Sequence, residues 1–160
     1  KNLHLAGGVN FDDNPSKVTG SVTSKTLDDY EEGTWTPTYA AAGGGSFNLL
    51  QNHGNYTKIG NLVTVTWWTQ FGSPTGTLSG ILQMAGLPFT SVAGPRASPS
   101  LRTNKWGSGS SILAGYTSGS AGIGIGYYAS GVSGDITNVP ASWLSTSNAE
   151  FGGTFTYQTT

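Results

Sequence analysis

The ten residues from Leu62 to Phe71 leave this chain the least choice of fold. Val63, Val65, Trp67, Thr69 and Phe71 share one face of an extended chain, while Thr64, Thr66, Trp68 and Gln70 share the other. No segment elsewhere shows helical periodicity. Turn signals come at short intervals, and further extended stretches are expected at Ser111 to Tyr116, Gly122 to Tyr128 and Ala149 to Tyr157. Thr34 to Tyr39 also alternates, with Pro37 confining it to a sheet edge or strand end. Thr77 to Gly86 and Leu87-Pro88-Phe89 read as short strand pieces. Ala40 to Ser46 and Gln51 to Asn55 read as a loop and a turn, and Val92 to Ser100 as an irregular connection. The predicted class is all-β, a β-sandwich or jelly-roll-like domain of six to nine short strands.

Charge then divides the chain. Residues 1 to 32 hold six acids and three bases, and the remainder holds two acids and four bases. The first segment has few large apolar groups, and Leu3-His4-Leu5 and Val9-Asn10-Phe11 alternate at strand period. It cannot build a core alone, so residues 1–32 are expected to form a stem whose short strands are covered by copies of the same chain. Residues 33–160 are expected to form the compact domain. The opening Lys1-Asn2-Leu3-His4 suggests a C-terminal piece of something longer.

Only 9% of residues are charged, against about 25% in ordinary soluble domains. Ser, Thr, Asn and Gly must therefore solvate the surface. A net charge of −1 without a Lys/Arg stripe offers nothing to a polyanion, so nucleic acid is not an expected partner. No run of 18 apolar residues is present, so no membrane insertion is expected.

Catalytic chemistry has little to work with. Cysteine is absent, which excludes disulfides and thiolate metal sites. His4 and His53 are the only imidazoles, and neither has a neighbour in sequence that would orient it. Past Glu32 the only carboxylates are Asp135 and Glu150, too few for a glycosidase pair unless subunits share a site. Asp12-Asp13-Asn14 lacks calcium-loop spacing, and Gly122-Ile123-Gly124-Ile125-Gly126 is a glycine-faced strand with no helix after it. The expectation is no catalytic residue, no metal and no cofactor.

Aromatic side chains are what remain. Trp35, Trp67 and Tyr157 sit in inward registers and read as core. Trp106, in the polar loop Arg102-Thr103-Asn104-Lys105-Trp106-Gly107-Ser108, either contacts a ligand or caps the core. Arg102 and Asn104 are candidates beside it, and Tyr116, Tyr128 and Trp143 are further candidates for receptor or glycan contact. Trp68 and Tyr128 point away from the inward faces, toward either a ligand or another subunit. Glycines 122, 124 and 126 face outward and leave room for a backbone or ligand to approach.

Three strings in order carry a resemblance. They are Thr26-Leu27-Asp28-Asp29-Tyr30-Glu31-Glu32-Gly33-Thr34-Trp35-Thr36-Pro37, then Tyr56-Thr57-Lys58-Ile59-Gly60-Asn61-Leu62-Val63, then Gly86-Leu87-Pro88-Phe89-Thr90-Ser91. A closing Gly153-Thr154-Phe155-Thr156-Tyr157 follows. Together they resemble the C-terminal, distal domains of bacteriophage tail fibres and tailspike-like proteins. The resemblance covers residues 26 to 91 well and the rest loosely. It implies a β-rich homotrimer at a fibre tip, on the outside of a virion, that binds the host surface through a polysaccharide or an outer-membrane receptor. It also implies an acidic ring around the trimer axis, with Leu27, Tyr30, Trp35 and Trp68 as interface candidates. The competing expectation is a structural trimerisation or capping domain without receptor contact.

Overall fold

The computed structural model describes residues 8–10, 26–27, 29–93, 98–107, 112–116, 122–128 and 137–160. Among these lie fourteen strands, all antiparallel to their neighbours, one 3-10 turn at Ala141–Leu144 and no α-helix. In chain order the first seven are β1 (Val9–Asn10), β2 (Thr26–Leu27), β3 (Tyr30–Trp35), β4 (Thr38–Ala41), β5 (Gly44–Ser46), β6 (Leu49–Ile59) and β7 (Leu62–Phe71). The next seven are β8 (Thr75–Ser79), β9 (Leu82–Ala85), β10 (Ser100–Asn104), β11 (Ile112–Tyr116), β12 (Gly122–Tyr128), β13 (Thr137–Asn138) and β14 (Ala149–Gln158).

Five of them form the main sheet in the order β10-β14-β7-β6-β3. β7 places its odd residues inward as its alternation requires, with Val63, Val65, Thr69 and Phe71 completely buried and Trp67 nearly so. A second sheet runs β11-β12-β9-β4, with β13 paired to β12. Leu82, Met84, Ile123 and Ile125 from that sheet join Val63, Val65, Phe151 and Phe155 from the first in one core. The β1–β2 and β5–β8 pairs stand apart from both sheets.

Edge-on aromatic contacts fill the core. The Trp67 ring meets Trp35 at 6.3 Å, Phe151 at 5.8 Å and Phe155 at 6.1 Å. Tyr39 meets Phe71 at 5.0 Å and Phe151 at 6.3 Å. Such pairs contribute about 0.5–1.5 kcal/mol each beyond the area they bury. A buried polar line crosses this region: Thr69 gives its one hydroxyl hydrogen to Asn52 Oδ1 at 2.8 Å. The Tyr39 hydroxyl, 2.8 Å from Thr69 Oγ1, is then the donor of that pair. Asn52 Nδ2 ends the line on the Pro37 carbonyl at 2.7 Å. Burial pushes the Tyr39 phenol well above its ordinary range.

Several local expectations are corrected. Gln51 to Asn55 is no turn but the middle of β6, in register with β7 from His53↔Trp68 to Asn55↔Thr66. Cross-strand pairing overrides the poor strand propensity of Asn, His and Gly here. Gly54 has a positive reason to be there, because a Cβ at that position would lie 2.5 Å from Trp35 Nε1. Within the expected loop 40–46, Ala40 and Ala41 belong to β4, and Gly44–Ser46 pairs with β8. The boundary drawn at residue 32 falls inside β3, since Tyr30, Glu31 and Glu32 pair with Ile59, Lys58 and Thr57. Among the described residues no helix is long and apolar enough to cross a membrane.

Candidate functional site

Three surfaces were open to a partner on sequence grounds, and the fold treats them differently. The first is the Trp106 corner. Its indole N–H donates to the Glu150 carbonyl at 2.8 Å, and its ring packs 5.1 Å from Phe151. Gly107 N–H donates to the Trp143 carbonyl at 2.9 Å, so the 3-10 turn closes over the same corner. Trp143, like Trp106, is half-buried against the core. Of the two alternatives for Trp106, capping the core is the one this geometry supports.

Trp35 is corrected in the same way. It is 7% exposed inside the core of its own chain, and its indole N–H is shared between the Asn55 and Thr66 carbonyls at 3.2 and 3.3 Å. It has little surface left to give a neighbouring subunit. Leu27 lies in β2 opposite Val9, Tyr116 in β11 opposite Gly124, and Tyr128 in β12 opposite Ile112. The side chains of Leu27, Tyr116 and Tyr128 lie outside the described residues, as do His4 and Asp135 entirely.

The second surface is the outer face of the main sheet, where register builds rows across the strands. At one end Tyr30, Ile59 and Leu62 stand side by side, exposed by 61, 46 and 45%. The Tyr30 hydroxyl donates to Glu32 at 2.8 Å, and that carboxylate raises the phenol pKa. Next comes a hydroxyl row of Thr57, Thr64 and Thr156, in which the last two hydrogen-bond at 2.8 Å. Asn55, Thr66, Thr154 and Ser100 form the row beyond.

The far end carries the chemistry. His53, Trp68, Gly152 and Arg102 occupy one row, and Gln51, Gln70, Glu150 and Asn104 the next. The His53 and Trp68 rings lie parallel within 6° at 6.3 Å. Gln51 Oε1 fixes the imidazole through Nε2 at 2.9 Å. Arg102 Nη1 donates to Glu150 Oε2 at 2.8 Å. Arg102 and Asn104 were expected in a loop, but both lie on β10, an edge strand held by β14.

His53 and Gly152 were missed from sequence. The signal for His53 was available in the Tyr56 to Ile59 alternation, which continues backwards through Gly54 and Asn52. For Gly152 it was the Gly152-Gly153 pair inside an otherwise regular strand, which marks close approach by a neighbour. A Cβ on Gly152 would lie 2.7 Å from the Trp67 carbonyl and 3.5 Å from Trp68 Cδ1.

A third surface is an open cleft of about 710 Å³ over the outer face of the second sheet. Small residues floor it, among them Ala40, Ala85, Gly122 and Gly124, with Thr38 and Gln83 along the rim. Gly122 and Gly124 are therefore part of a concave surface, whereas Gly126, expected to face outward with them, is buried between β11 and β13. Among the described residues no charged side chain lines it. Its one aromatic, Tyr39, is turned into the core and offers no ring for stacking.

Among the described residues no group of three His, Asp or Glu is placed to hold a metal ion. Compared with known proteins, the chain matches no family model, no curated protein and no solved structure.

Proposed function

We propose that this chain is the distal domain of a homotrimeric fibre of the bacteriophage tail-fibre kind, a β-sandwich that attaches to a host cell surface, with a glycan as its target. The observation that carries the reading is the division of one sheet face into two unlike ends. Tyr30, Ile59 and Leu62 make an uncovered apolar row beside the start of β3. Rows of exposed apolar side chains mark association surfaces, and copies of the same chain are the natural cover next to a segment that cannot fold alone. The other end is rich in hydroxyls and amides and carries an aromatic pair, a surface suited to an uncharged polar partner. Weak single sites on such a tip gain strength from three-fold avidity. On this reading the protein works outside the cell, on the virion.

One observation favours the competing structural reading. Trp106 and Trp143, the loop aromatics most suited to a receptor, pack onto the core instead. A trimerisation or capping domain needs nothing more from them.

Two measurements test the proposal. Light scattering of the full chain at micromolar concentration should give a trimer, and Ile59→Asp with Leu62→Asp should release monomers. A monomeric wild type sinks the fibre reading. Fluorescently labelled trimer should then adsorb to some members of a panel of bacterial cells. A stable trimer that adsorbs to none leaves the capping domain as the function.

A further inference from the structure

We infer that the two free edges of the main sheet bind each other between copies of this chain, β3 of one copy beside β10 of the next. The inference rests on the homotrimer reading for the number of copies and adds which surfaces join them.

The sheet ends in β10 on one side and β3 on the other, and among the described strands neither has a second neighbour. Hydrogen bonds and register fix which backbone groups each edge turns outward. The Asp29 carbonyl accepts from Gly60 N–H at 2.7 Å, so by alternation Glu31, Gly33 and Trp35 turn their backbone toward β6, and Tyr30, Glu32 and Thr34 turn theirs away. On the other side the Glu150 carbonyl accepts from the Trp106 indole just past β10. Glu150, Gly152 and Thr154 therefore face β10, which engages Asn104, Arg102 and Ser100 and leaves Leu101 and Thr103 turned outward. β3 and β10 run in the same direction, because each strand of the sheet is antiparallel to its neighbour. A three-fold axis along the strands keeps that direction, so the edges of successive copies meet as a parallel pair. In a parallel ladder a residue facing its partner strand bonds to the two residues flanking the one beside it. With Glu32 beside Arg102 of the next copy, Glu32 N–H donates to the Leu101 carbonyl and Thr103 N–H donates to the Glu32 carbonyl. Leu101 N–H then reaches the Tyr30 carbonyl, and Thr34 N–H the Thr103 carbonyl. Every outward group of Leu101 and Thr103 is satisfied, and the Glu32 and Arg102 side chains stand side by side on the outer face.

Charge selects this pairing over the symmetric ones. β3 carries Glu31 and Glu32, and among the described residues neither is paired with a cation, since the ion pairs there are Lys58–Asp29 and Arg102–Glu150. β10 carries Arg102, whose side chain stays 63% exposed beside Glu150 and has donors to spare. Lys105 follows it, exposed and without an anion among the described residues. Two β3 edges would set carboxylates against carboxylates, and two β10 edges would set guanidinium against guanidinium. Like charges directly across a strand pair are destabilising. Charged edges commonly guard a sheet against pairing of any kind. Here the two edges have opposite signs, so the same charges that bar like edges draw β3 and β10 together. Tyr30 lies on the β3 edge, so the exposed apolar row of Tyr30, Ile59 and Leu62 runs up to the junction.

The chain has no cysteine, so engineered thiols report contacts without background. Within one chain positions 32 and 102 lie four strand spacings apart, roughly 19 Å, too far for a disulfide. Side by side on paired edges they come within reach. The full chain carrying both Glu32→Cys and Arg102→Cys, held in a glutathione redox buffer, should therefore run on non-reducing gels as covalent dimer and trimer. Each single cysteine variant should stay monomeric on the same gels. Glu32→Arg alone and Arg102→Glu alone should each weaken association in sedimentation about tenfold or more, and the two together should recover it, which separates a lost contact from a lost fold. Dimers from either single cysteine variant would show like edges meeting and would overturn the inference. A trimer by light scattering whose double cysteine variant forms no cross-link would overturn it too, while keeping the fibre reading, and so would a charge swap that fails to recover association. A covalent ladder running past the trimer would keep the edge pairing and remove the closed homotrimer. A monomeric wild type removes both.

Discussion

Trp67 and Trp68 are consecutive residues of one strand, and they differ in almost every physical respect. Trp67 is 5% exposed and meets three aromatic rings. Among the described residues its Nε1 is the one buried side-chain polar atom without a hydrogen-bond partner. Trp68 is half-buried, lies parallel to one imidazole from across the strand pair and covers Gly152 on its other side. Strand geometry alone separates them, because consecutive Cβ atoms point to opposite faces. The inner face spends its aromatics on stability, and the outer face holds one where a partner can reach it.

That contrast can be broken or sharpened by substitution. Trp67→Ala should cost about 3–5 kcal/mol in chemical denaturation, as large aromatic deletions from cores do. Trp68→Ala should cost about 1 kcal/mol or less, and near-equal losses would break the distinction. Gly54→Ala should cost about 1–3 kcal/mol through overpacking, because the new methyl meets the Trp35 indole at 2.5 Å. A neutral result would mean that Trp35 can shift and that the inner face is looser than its burial implies.

Alkali offers a third probe of the inner face. Burial pushes the Tyr157 phenol up to about 12, while its hydroxyl donates to the Phe89 carbonyl at 3.0 Å. Tyr39 is raised further. Unfolded tyrosines ionise near pH 10, whereas the folded chain keeps these two protonated. Their contribution is therefore complete below about pH 10 and is lost as pH rises through the folded values. Urea midpoints should stay level across neutral pH with respect to these groups and fall above about pH 10. Tyr157→Phe should cost about 1 kcal/mol at neutral pH and soften the alkaline fall. The smallest effect is expected outside: Arg102→Ala should change stability by about 0.5 kcal/mol or less, since exposed ion pairs contribute little.

Alternation made much of this legible in the sequence. The inward set of β7 and the inward registers of Trp35 and Tyr157 follow from period-two patterning, and all are buried. Gly122 and Gly124 facing outward follow from the same rule. What the pattern could not supply was which strand lies beside which. His53 looked like part of a turn because Asn-His-Gly-Asn is poor strand sequence, and only the ten-residue match with β7 holds it extended. Arg102 seemed to project from a loop because its partner, β14, lies about fifty positions away. The row of His53, Trp68, Gly152 and Arg102 was invisible for the same reason: its four residues come from four strands and line up only through register. Trp106 had two readings because its local sequence is polar, and the choice between them was made by Phe151 and the Glu150 carbonyl.

The position of β14 has a consequence for how the molecule is made. It is the latest of the described strands, yet it lies between β7 and β10 near the middle of the main sheet. Until it docks, the β6–β7 hairpin can form on its own, but one edge of β7 stays unpaired and Trp67 lacks its contacts with Phe151 and Phe155. β10, whose only partner among the described strands of that sheet is β14, lacks that partner until then. Ring closure over so many residues is slow compared with local pairing. Synthesis must therefore run through β14 before this sheet can close. During that interval the chain carries an open strand edge, and its yield will depend on how well that edge is kept from other chains.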